Sequence, residues 1–144
     1  MTMSVAIRDL QGKVRIDKKR LKKWAGSVLS KMGEGKVELS VILVGDSYIK
    51  KLNWRYRKVR SRTDVLAFPM REGSGPSKNG PVLGDVVIST QTAKREAEKR
   101  GVPVYREVAL YLAHGILHLL GYDDRTNSDR KRMKAKEGEL LEAM

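Results

Sequence analysis

Apolar positions change their spacing several times along this chain, and each change marks an element. Residues 3–9 alternate weakly between apolar and polar, the pattern of an edge strand. Leu21, Trp24, Val28, Leu29 and Met32 then fall on one helical face, with Asp17 placed to cap the helix and Gly33 to end it. The other face of that helix carries Lys18, Lys19, Arg20, Lys22 and Lys23, read as solvated. Residues 36–44 begin with alternation and end continuously apolar, as a strand does on entering the centre of a sheet. Tyr48, Ile49, Leu52 and Tyr56 predict a second helix with Asp46 as its cap.

Val65–Phe68 reads as a short strand stopped by Pro69, and residues 71–80 as a turn-rich loop. Val82–Ser89 is the next strand, interrupted by Gly84 and Asp85. Thr90 is expected to cap a polar helix with Ala93 and Ala97 inward and Gly101 at its close. Pro103 suits the first turn of another helix, which Val104, Val108, Leu112 and Leu119 mark as central and nearly buried. Glu107, on that helix, reads as half of a structural salt bridge. Thr126 or Asn127 can start a last helix over 128–142, with Met133, Leu140 and Leu141 for packing. Arg125, Arg130, Lys131, Arg132, Lys134 and Lys136 make it a cationic surface. Interleaved strands and helices imply an α/β or α+β fold with one sheet layer; periodicity leaves strand order open.

Length and composition narrow the function. The 144 residues, 40% hydrophobic, suit one domain spanning 1–144. A net charge of +13 and a pI near 10.1 point to a polyanion, nucleic acid before membrane, since no lipid-anchor motif or long apolar span occurs. Arg55, Arg57, Lys58, Arg60 and Arg62 gather at the far end of the second helix and on the connection to Asp64, where a phosphate-binding role is expected. With no cysteine, any metal must use His and Asp or Glu. The first residues lack the apolar core of a signal peptide, so a cytoplasmic location is expected. No apolar stripe is left over, which favours a monomer.

His114 and His118 are the only two histidines, four residues apart in the predicted central helix. That spacing stacks both imidazoles on one face, as two ligands of a zinc-type ion require. Gly121 allows the chain to turn back, so that Asp123 or Asp124 can supply a third ligand and leave a position open for water. The helical zinc-protease motif has Glu directly after its first His. Here that residue is Gly115, which disfavours peptide hydrolysis.

The stretch His114-Gly-Ile-Leu-His-Leu-Leu-Gly-Tyr-Asp-Asp124 resembles the signature of the YbeY family, metal-dependent endoribonucleases of ribosomal RNA maturation. Leu52–Arg57 running into Thr63–Pro69, and Leu83–Ser89, resemble it too, so the similarity spans residue 37 to the C-terminus. The resemblance implies a zincin-like α+β fold: a mixed four-stranded sheet with packed helices and the metal-site helix central. It implies one Zn²⁺, or another divalent metal, on His114, His118 and Asp124, with Asp123 as the alternative third ligand; Asp124 stands where the family has a third histidine. Arg57 matches the family's functional arginine, and Arg55, Lys58, Arg60 and Arg62 would hold the RNA backbone. The implied function is single-strand-specific cleavage by metal-activated water, in 16S ribosomal RNA maturation and ribosome quality control at the small subunit. The competing expectation is a non-catalytic RNA-binding assembly factor with a structural metal. Trp54 and Tyr56 are candidates for base stacking, with Tyr56 expected in the core instead.

Overall fold

A computed structural model describes residues 3–58, 63–71 and 81–144. Its elements are β1 (Ser4–Asp9), α1 (Lys18–Lys31), β2 (Glu38–Val44), α2 (Asp46–Arg57), β3 (Val65–Pro69), β4 (Val82–Ser89), α3 (Thr90–Arg100), α4 (Val104–Leu119) and α5 (Asn127–Glu142). The strands form one sheet in the order β1-β2-β4-β3. β1, β2 and β4 run parallel, and β3 pairs antiparallel with β4. The fold is the mixed α+β architecture that the family resemblance implies.

Alternation along the strands sorts the apolar residues onto two faces. Leu39, Val41 and Leu43 of β2, with Val86 and Ile88 of β4, join the large core under α1 and α4. Val44, Leu66 and Val87 point the other way and meet Ile49 of α2. α4 packs on β3 and β4 and touches α1, α3 and α5, so it is central as expected. Trp24 ties α1 to it by donating from Nε1 to the Ala109 carbonyl at 3.0 Å. Gly115 lets α4 lie close to the sheet: a Cβ there would stand 2.5 Å from Val86 Cγ1. Glu107, buried in the same helix, meets Arg100 at 3.0 Å, the structural salt bridge expected.

Several local expectations are corrected. Pro69 ends β3 inside the ladder, opposite Gly84, because an edge strand tolerates a residue without an N–H. Gly84 does not interrupt β4 but pairs with Leu39 just after a bulge at Leu83, and a side chain there would strike the Phe68 carbonyl at 2.4 Å. Ser89, not Thr90, caps α3, its hydroxyl accepting from Thr92 N at 3.2 Å. Asp46 does not cap α2; Gly45 does, and Gln91 Oε1 accepts from Asp46 N at 2.8 Å. Tyr56 is 59% exposed and not a core residue. Among the described residues, no helix is long and apolar enough to cross a membrane.

Candidate metal centre and nucleic-acid cleft

α4 carries His114 and His118 one turn apart, their rings edge-to-face with centroids 4.7 Å apart. The helix stops at Leu120 in a Schellman turn. Gly121 N donates to the His118 carbonyl and Tyr122 N to the Leu117 carbonyl, at 3.0 and 2.9 Å. Gly121 supplies the positive φ of 100° that this turn needs, and the chain comes back past the histidines. Asp124 Oδ2 thereby lies 3.8 Å from His118 Nε2.

His114, His118 and Asp124 each offer one ligand atom, all within 4.8 Å of one another. Two imidazoles and a carboxylate form a donor set suited to zinc and similar divalent ions. Asp123 is engaged elsewhere. Its Oδ1 accepts from Asp124 N at 2.6 Å and from Arg125 N at 3.0 Å, and its Oδ2 lies 3.3 Å from Arg125 Nε. Of the two neighbouring carboxylates, Asp124 therefore joins the histidine pair.

A residue absent from the sequence expectations completes the surroundings. Glu137 of α5 reaches His114, with Oε2 2.5 Å from Nδ1. Burial disfavours the His114 imidazolium, but this hydrogen bond, the Glu137 charge, and Asp64 and Asp124 outweigh it and hold its pKa above the ordinary value. His118 is shifted the other way, because burial and the neighbouring His114 outweigh the pull of Asp124 and Asp123. The signal for Glu137 was weak but present: it shares a helical face with Met133 and Leu140, a carboxylate on an apolar stripe.

The histidine pair opens into a cleft of about 670 Å³, lined also by Arg57, Tyr56, Asp64, Phe68 and Asp124. A second cavity of about 620 Å³ shares Thr63, Asp64 and His114 and continues past Tyr111, Lys134 and Glu137. Arg57 closes α2, which ends on Lys58 in the left-handed conformation, at φ 59°. Arg55 and Lys58 do not line the cleft; they lie over the rings of Tyr56 and Trp54, at 5.6 and 5.7 Å. Arg60 and Arg62 lie outside the described residues.

The sequence profile of the family described as Endoribonuclease YbeY matches residues 6–144. The chain belongs to the endoribonuclease YbeY family. A protein named endoribonuclease YbeY from Pelotomaculum thermopropionicum is 45% identical over 146 residues, 96% of this chain and 95% of its own length. Another of that name, from Aquifex aeolicus, is 44% identical and aligns over 95% of this chain and 89% of itself. A solution structure of a Thermotoga maritima protein superposes with a TM-score of 0.67 at 29% identity, covering 96% of this chain and 87% of that one. In this YbeY-family chain the cleft is framed from two sides. α4 and the turn after it hold the possible ligands, while the end of α2 and edge strand β3 line the approach.

Proposed function

We propose that this chain is a zinc-dependent endoribonuclease of single-stranded RNA. Its place is in the cytoplasm, as a monomer maturing the small-subunit (16S) ribosomal RNA and serving ribosome quality control. The observation that carries the reading is the meeting of His114, His118 and Asp124 within 4.8 Å, beside a cleft that Arg57 lines. The family membership and the charge of +13 supply the substrate class.

A divalent ion held by these residues would ionise water near neutral pH and polarise a phosphoryl oxygen. The rest falls to the chain. The Arg57 guanidinium suits two phosphoryl oxygens at once and stabilises the charge that builds on them during cleavage. Arg55 and Lys58, with Arg60 and Arg62, hold the RNA backbone without reading sequence. The exposed ring of Tyr56, and Trp54 beside it, give bases a surface to stack on.

The accessibility of the ligands favours this reading over a structural metal in an assembly factor. Structural zinc sites are closed by four protein ligands, whereas here three face a cleft and the Asp124 side chain is 53% exposed. Peptide hydrolysis lacks its base, and Gly115 lies against Val86 with no room for one.

The test is cleavage of single-stranded RNA by the purified chain, before and after chelation and with zinc restored. Chelation and His118→Ala should each abolish cleavage while circular dichroism stays native. A folded His118→Ala protein that cuts at the wild-type rate would sink the proposal.

A further inference from the structure

We propose that Glu137 is a positioning residue of the metal centre: its carboxylate holds His114 in the tautomer protonated on Nδ1 and turns Nε2 toward the ion. This rests on the metal-binding part of the function proposed above. Oε2 of Glu137 stands 2.5 Å from His114 Nδ1, within hydrogen-bond distance, and an ionised carboxylate can only accept there. With Nδ1 so engaged, Nε2 is the nitrogen left for a ligand.

The placement of Glu137 argues that it is there for the histidine. It is buried in α5 between Met133, one turn before, and Leu140, nearly one turn after, which are 1% and 2% exposed. A carboxylate at such a position is costly unless compensated, and an aliphatic side chain would serve packing better. No lysine or arginine forms an ion pair with it among the described residues; its partner is His114. α5 reaches the centre from a different segment than α4, so its docking also sets the orientation of the ring. Ring orientation by a carboxylate behind a metal-binding imidazole changes metal affinity roughly 10–100-fold.

Packing and positioning make different predictions. In the wild-type protein, nitrogen NMR of the neutral His114 ring should find the proton on Nδ1 without metal, and zinc on Nε2 after loading. Glu137→Gln should weaken zinc binding roughly 10–100-fold in chelator competition, with little change in metal-free melting temperature. Glu137→Leu should weaken zinc as much while keeping or raising that temperature, an opposition that a purely structural contact would not produce. Zinc on Nδ1 in the wild type, a bare Nδ1 without metal, or wild-type affinity in a folded Glu137→Gln protein would each overturn the inference. The wild-type measurement decides even if both variants misfold. None of these readouts uses RNA, so absence of cleavage would defeat the proposed function and leave this inference standing. Cleavage with unaltered zinc affinity in Glu137→Gln would do the reverse.

Discussion

Gly115 connects the packing of α4 to its chemistry. A methyl group there would meet both Val86 methyls, at 2.5 and 3.1 Å, and Val86 is β-branched and stiff. Gly115→Ala gains helix propensity worth about 1 kcal/mol, but overpacking costs about 1–3 kcal/mol. The expected net loss is about 0–2 kcal/mol in urea unfolding, together with weaker zinc binding as the helix moves off the sheet. A stabilised variant would show that α4 has slack. At this scale the sequence was informative where spacing carries geometry. Two histidines four apart must share a helix face, and Gly121 had to mark the turn that returns Asp124. Spacing alone left Asp123 and Asp124 open, because the choice depends on which carboxylate the turn consumes; the family resemblance pointed to Asp124. Glu137 showed only as a carboxylate on an apolar stripe, and its partner was hidden, since only the docking of α5 brings residue 137 to residue 114.

Between elements, the junction of α2 and α3 rests on one carboxylate. Asp46 accepts from Ser89 Oγ at 2.7 Å, Thr92 Oγ1 at 2.8 Å and Arg95 Nη1 at 2.7 Å. Burial alone would raise its pKa, but these hydrogen bonds, Arg95 foremost, bring it from 3.8 down to about 2. The folded state therefore favours the ionised form. That stability is full above the unfolded value and disappears as the pH falls through the folded one. Allowing for partial exposure and screening, it is about 1–2 kcal/mol. Asp46→Asn should thus be less stable than wild type by that amount at pH 6, with the gap closing between about pH 4 and pH 2. A gap constant down to pH 2 would assign the loss to geometry instead of charge. Capping statistics placed Asp46 and Thr90 at helix starts, and both do lie in first turns. Which residue caps was decided by tertiary hydrogen bonding across two helices, which local patterns do not contain. Strand order escaped for the same reason: alternation marks a strand's faces but not its neighbours.

Across the whole molecule, the charge of +13 is arranged in a way that helix stability does not explain. α5 carries a basic run, Arg130, Lys131, Arg132, Lys134 and Lys136, between Asp129 in its first turn and Glu137, Glu139 and Glu142 toward its end. The helix dipole acts mainly on the end turns, where Asp129 is favourable and Glu139 and Glu142 are not, so it does not account for the basic run, which suits an anionic partner. The basic half begins just after Asp124, and Arg130 Nη1 donates to the Asp124 carbonyl at 2.9 Å. An RNA strand crossing the ligands would then meet cations on both sides, the end of α2 on one and α5 on the other. Binding strength and chemistry should separate accordingly. Replacing Lys131 and Arg132 together by Ala should flatten the salt dependence of single-stranded RNA affinity by about 1.4 in log–log slope, two contacts at about 0.7 each. Cleavage at saturating RNA should be unaffected. Arg57→Ala should instead slow cleavage roughly 100-fold with a small change in affinity, because its charge is needed most when charge builds on the phosphoryl oxygens. Filter binding across a salt series, with single-turnover rates on the same RNA, measures both. An unchanged slope in the double variant would confine the RNA footprint to the α2 side, and an Arg57→Ala protein impaired only in binding would reduce that arginine to a backbone contact.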